Sequence, residues 1–168
     1  MERLLRGVMA AKPDYHHAYN ALGYSLADRN VRLPEAKKLI QKALEFAPGD
    51  PFITDSLGWA EFRMGNKAEA QRLLQGAFKQ KPDAEIAAHL GEVLWSLGKR
   101  EQATAIWKEG LQLNADNDWQ WTTIVTNAVG PLPPARTNDI MRALFLSAER
   151  PAATVRAECL RTFERGAR

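Results

Sequence analysis

Three histidines and one cysteine are the side chains of this chain best suited to metal binding or nucleophilic chemistry, and their spacing gathers none of them into a site. His16 and His17 are adjacent at the start of a helical stretch, where neighbouring side chains point in different directions. His89 lies far off in sequence, so all three read as surface or interface histidines rather than a metal site. Cys159 has no partner for a disulfide and no histidine nearby; it reads as a small apolar packing residue. The chain has no glycine-rich phosphate loop, no HExxH, no CxxC and no GxSxG elbow. Catalytic residues, metal and cofactor are therefore not expected, and the chain does not read as an enzyme.

What remains is a surface, and the pattern that would position it is repetition. Leu22-Gly23, Leu57-Gly58 and Leu90-Gly91 recur 33 to 35 residues apart, each followed by an alanine at Ala36, Ala70 or Ala103. Ala43, Ala77 and Gly110 come next, then Pro48, Pro82 and Ala115. A period of this length with small residues at fixed offsets means a stacked helical array, which presents a surface for binding. Glycine inside a helix costs about 0.5–1 kcal/mol relative to alanine, so its recurrence argues for two helices crossing closely. Leu26, Ile40 and Leu44, then Leu73, Leu74 and Phe78, then Leu94, Ile106 and Trp107 supply the helical faces between them.

The punctuation agrees. Gly65 and Gly98 can supply left-handed caps, Asp28–Arg32 forms a turn one residue longer in the first unit, and Pro34 suits a first helical turn. The spacing predicts helices at 15–28, 34–46, 52–64, 67–80, 84–97 and 100–113.

Tyr19, Leu22, Gly23, Ala36, Ala43 and Pro48, with their counterparts one and two periods on, resemble the tetratricopeptide repeat, a helix-turn-helix unit of about 34 residues. The wording of the repeats also resembles arrays within larger proteobacterial proteins. The resemblance implies an all-α, right-handed superhelical stack of antiparallel helix pairs. Its units are 15–50, 51–83 and 84–117 within a repeat region 15–118. Residues 1–14 read as the second helix of an incomplete preceding repeat, with Leu4, Leu5, Val8 and Met9 inward, as if the chain began inside an array. Residues 119–168 read as a degenerate helical cap or tail, in which Trp121 and Ile124 keep the repeat register.

In such arrays the first helices line the concave wall. The register places His17, Asn20, Tyr24, Ala27 and Asp28 there, then Phe52, Asp55, Trp59, Phe62 and Arg63, then Glu85, Ala88, Glu92, Trp95 and Ser96. Tyr24, Trp59, Phe62 and Trp95 would be aromatic anchors for a partner, with Asn20 beside them. Asp55 and Glu92 would favour a basic or amine-bearing partner. Asn20, Tyr24, Ser56, Glu85 and His89 stand where the subtype that clamps chaperone carboxylates carries lysine and asparagine; that use is not expected. Gly23, Gly58, Gly91, Ala36, Ala70 and Ala103 would serve the helix crossings.

The expected function is protein–protein interaction through the groove, as part of a scaffold; the alternative is a homodimer through exposed array ends. On this expectation Trp59→Ala weakens a partner's binding and leaves helicity intact. Charge adds little. The net +3 falls in residues 119–168, where seven arginines, no lysine and four acids make a thin electrostatic footprint, so nucleic acid is not an expected partner. No apolar run approaches the roughly 18 residues of a membrane span, and the start lacks the apolar stretch of a secretory signal. The sequence leaves the compartment open.

Overall fold

The computed structural model describes residues 1–113, which form seven helices and no strand. They are α1 (Glu2–Ala11), α2 (His16–Asp28), α3 (Leu33–Phe46), α4 (Pro51–Arg63), α5 (Lys67–Gln80), α6 (Ala84–Ser96) and α7 (Arg100–Leu113). Each end of α2 to α7 lies within one residue of its expected place. Helices α2 and α3, α4 and α5, and α6 and α7 pack as pairs; α4 also touches α2, α3 and α6, and α5 touches α6. The cap expected over 119–168, with Trp121, Ile124 and Cys159, lies outside the described residues.

Local chemistry sets the boundaries. Asp50 caps α4 by accepting the Phe52 and Ile53 amides at 2.9 and 3.0 Å, and Asp83 caps α6 by accepting that of Glu85 at 2.9 Å. Gly65, at φ 89°, ends α4: its own N–H reaches Phe62 O and the Asn66 N–H reaches Glu61 O, each at 2.9 Å. Gly98 ends α6 in the same way.

The first unit makes this turn too. Asn30 takes the left-handed place at φ 55°, and the Val31 amide bonds Leu26 O at 3.0 Å. The longer Asp28–Arg32 segment is thus the same cap plus one inserted residue, Arg32, which is itself left-handed at φ 49°.

Packing follows the small residues. A Cβ built on Gly23 would lie 2.6 Å from Ile40 Cγ1 and 2.9 Å from the Ala36 carbonyl oxygen. One built on Gly58 would lie 2.7 Å from Leu74 Cγ, and one on Gly91 would enter the Trp107 indole. Ala36, Ala70 and Ala103 are fully buried opposite them. Two apolar clusters result. One joins Leu22, Leu26, Ile40, Ile53 and Trp59; the other joins Leu74, Phe78, Ile86, Leu90, Leu94 and Trp107. Each buried leucine or isoleucine in them contributes about 1.5–3 kcal/mol.

At the N-terminal end the expected inward face of α1 is only half right. Leu5 and Met9, one turn apart, pack on the first cluster, whereas Leu4 is 71% exposed and Val8 37%. The reason is geometric: α1 packs mainly on α2, so one stripe of the helix is covered and the adjacent stripe is not.

Candidate functional site

The first helices of the three pairs, α2, α4 and α6, bring their inner residues to one wall, and its middle is polar. On α6, Ala84 to Val93 are mostly buried, yet His89 sits among them at 8% exposure. Its Nδ1 donates to the Asp55 carboxylate on α4, 2.9 and 3.0 Å from the two oxygens. Its Nε2 lies 3.3 Å from the Tyr24 hydroxyl on α2. The Trp59 indole stacks on the imidazole with centroids 4.4 Å apart and planes 21° apart. Side chains from three successive repeats thus meet at one histidine.

The electrostatics follow from these neighbours. Burial opposes charge on His89, but the Asp55 carboxylate outweighs it, aided by Glu85 and Glu92, and holds the imidazole above its ordinary value. Burial pushes the Tyr24 phenol well above the usual range, and the charges of Glu85, Asp28 and Asp55 push it further. Burial also raises the Glu92 carboxyl; His89 and Arg63 oppose that rise, and Asp28 adds to it.

Carboxylate, imidazole and hydroxyl in a row have the topology of a general-base relay. Here the hydroxyl is a phenol held firmly protonated, so the row orders side chains across the repeats and supplies no activated nucleophile. No group of three or more His, Cys, Asp or Glu suited to holding a metal occurs among the described residues.

The other expected contact residues fall around this centre. Trp59 is 3% exposed: His89 covers one face of its ring, Phe62 lies 5.3 Å away, and the Arg63 guanidinium sits 5.6 Å from its centroid. Its ring is therefore filled by the chain's own side chains rather than held open. Phe62 and Trp95 are half-buried and pack on the cores; Trp95 lies 5.6 Å from Trp107. Asp55 is buried, Asn20, Tyr24 and Glu92 are half-buried, and Phe52, Glu85 and Asp28 are exposed. Arg63 donates to the Asp28 carbonyl at 3.2 Å, tying the ends of α2 and α4.

His89, the centre of these contacts, reads from sequence as a surface or interface side chain. A signal was available. His89 is one position past Ala88, the counterpart of Asp55 one 33-residue period on, which sets it close to Asp55 on the adjacent first helix.

A sequence model described as "Tetratricopeptide repeat" matches residues 56–117, a stretch that takes in most of α4 and all of α5, α6 and α7. Over these residues the chain matches the tetratricopeptide repeat family. Over 92 residues it is 53% identical to the Pseudomonas aeruginosa "TPR repeat-containing protein PA4667", a stretch covering 55% of this chain and 16% of that protein. It is 36% identical over 93 residues to Homo sapiens "Tetratricopeptide repeat protein 7A", covering 55% of this chain and 11% of the other. To Escherichia coli "Protein HemY" it is 30% identical over 84 residues, covering 50% and 21%. The chain thus spans at most about a fifth of the length of these curated relatives. The solved structure titled "Crystal structure of MamA" superposes with a TM-score of 0.58 at 18% identity, covering 99% of this chain and 88% of that one, a likeness of fold. A tetratricopeptide repeat array is a module for protein–protein interaction, and no described helix is long and apolar enough to cross a membrane.

Proposed function

We propose that the inner wall formed by α2, α4 and α6 holds a segment of a partner protein that carries arginine or lysine side chains. The observation that supports this is the charge of the wall. Asp28, Asp55 and Glu85 act on the half-buried Tyr24 phenol, and Asp55, Glu85 and Glu92 act on the buried His89 imidazole, while Arg63 acts on Glu92. Negative charge held in partly desolvated surroundings attracts a cation more strongly than the same charge in open water. Tyr24, Phe62 and Trp95 would border the bound segment, and Trp59 would act from beneath, through His89, rather than as an open anchor.

The test is a titration of residues 1–168 with a hexa-arginine peptide, followed by amide shifts. Shifts concentrated on α2, α4 and α6, and lost in a Glu85→Lys, Glu92→Lys double variant of unchanged helicity, are the expected result. Shifts confined to α3, α5 and α7 would overturn the assignment.

A second reading rests on α1. Its exposed Leu4 and Val8 form an uncovered apolar stripe that a second copy could bury. Sedimentation at several concentrations separates the readings, since a groove binder stays monomeric without its partner, whereas this stripe predicts a dimer that Leu4→Asp dissolves.

A further inference from the structure

Tyr24 has one hydroxyl proton and two neighbours able to accept it. One is Nε2 of His89, at 3.3 Å. The other is the Glu85 carboxylate, one helical turn before His89 on α6, whose charge and hydrogen-bonding reach act on the phenol. Nδ1 of His89 faces carboxylate oxygens, which only accept, so it keeps its proton whether the ring is charged or neutral. The proton that comes and goes is therefore the one on Nε2.

The consequence for Tyr24 follows from donor and acceptor counting. When His89 is charged, Nε2–H donates to the phenol oxygen, and the phenol's own O–H is free to donate to Glu85. When His89 is neutral, Nε2 becomes an acceptor and draws that O–H to itself, leaving Glu85 without it. We propose that the Asp55–His89–Tyr24 chain is a protonation-controlled selector, handing the Tyr24 hydroxyl proton to Glu85 when His89 is charged and to His89 when it is neutral. Glu85 is the outermost of these groups and faces the groove, so the selector sets how that carboxylate is presented.

The surroundings support a proton that responds to bulk pH while the phenol does not. From α2 come Tyr24 itself, which stays protonated, and Asp28. From α4 come Asp55 and Arg63, the latter over the Trp59 ring. From α6 itself come Glu85 and Glu92, whose charges favour protonated His89. The faces of α5 and α7 that pack on α6 bring Leu74, Ala77, Phe78 and the Trp107 indole, which donates to the Ala88 carbonyl at 3.2 Å.

The test uses the full chain, with carbon shifts of the Glu85 carboxyl and Tyr24 Cζ and nitrogen shifts of the His89 ring followed from pH 5 to 10. The expected result is one shared midpoint for all three, above the ordinary histidine value of about 6.5. In Tyr24→Phe the His89 transition persists and the Glu85 response at that midpoint is lost. A Glu85 carboxyl that ignores the His89 transition would overturn the proposal, as would one responding equally in Tyr24→Phe, since that response would be the bare field of the imidazolium. Should Tyr24→Phe fail to fold, Tyr24 Cζ in the unsubstituted chain decides: a shift unchanged through the His89 midpoint rules the selector out.

The effect on binding alone rests on the groove reading. Hexa-arginine should bind about threefold or more tightly at pH 9 than at pH 6, the scale of one unit charge near an exposed site, and equally at both in His89→Gln. Failure of the peptide to bind at either pH, with the Glu85 response intact, would remove the groove and keep the selector.

Discussion

Asp55 favours charge on His89 against the tendency of its burial, and that makes the histidine the most consequential single residue in the described chain. Asp55 raises its pKa above the value of the unfolded chain, so the folded state holds this proton more tightly. The stability gained is fully present below about pH 6.5 and is lost as pH rises through the folded value. Asp55→Ala should therefore cost on the order of 3 kcal/mol at pH 6, because it leaves a buried imidazolium unpaired, and distinctly less at pH 9. Urea unfolding at the two pH values checks this; an equal loss at both would mean that the pair carries no charge in the native state. His89 also shows where sequence reading stopped. Its type and isolation suggested a surface or interface histidine, and only the repeat period, which carries Asp55 to Ala88 beside it, brings the two together. Trp59 failed to announce its burial for a related reason. The register puts it on the inner wall, but whether a wall position is open depends on which residue the next repeat lays over it. Here that residue is His89, at a position where the earlier repeats carry Ala21 and Ser56.

The elements were far more legible, because helix ends and crossings rest on local, one-residue requirements. Asp50, Gly65, Asp83 and Gly98 each meet a specific need for a cap, and Asn30 meets the same need without glycine. Glycines placed for crossing and glycines that merely occur can be told apart only in three dimensions. Gly23 in α2 faces the Ala36 carbonyl and Ile40 of α3, whereas Gly76 in α5 has nothing within 4 Å of a built Cβ. Opposite outcomes follow from the same substitution. Gly23→Ala should destabilise by about 1–3 kcal/mol, because backbone cannot swing aside as a side-chain tip can. Gly76→Ala should stabilise by about 0.5–1 kcal/mol by restricting the unfolded chain at an unobstructed helical site. Thermal unfolding of the two variants decides it, and a loss in both would mean that the α2–α3 crossing is no tighter than the surface of α5. Gly91→Ala belongs with Gly23, since its Cβ would displace the Trp107 indole from the Ala88 carbonyl.

Across the whole molecule, stability should be graded from the middle of the stack outwards, since each repeat is held by its neighbours. Helix α4 touches four others and contributes Ile53, Trp59 and Ala60 to the core, while its buried Glu61 pairs with Lys37 of α3 at 2.6 Å. Helix α1 buries little. It is held by Leu5, Met9 and an exposed ion network in which Glu2 joins Arg6 and Arg32, and Glu35 joins the same two arginines. Hydrogen bonds first from Arg32 and then from Arg6 lower the Glu2 carboxyl to about 2. A carboxyl depressed in this way contributes stability that is present above its unfolded value, near 4.5, and is lost only as pH falls towards 2. Exposed pairs are also screened by salt, whereas apolar contacts are not weakened by it. Native-state hydrogen exchange should therefore find α1 the least protected helix and α4 and α6 the most. Adding salt to about 1 M should speed exchange in α1 alone, and lowering the pH from 7 to 5 should leave its protection, corrected for intrinsic rate, unchanged. Uniform protection from α1 to α7 would mean that the stack opens as one cooperative unit, and the ion network would then be incidental to how α1 is held.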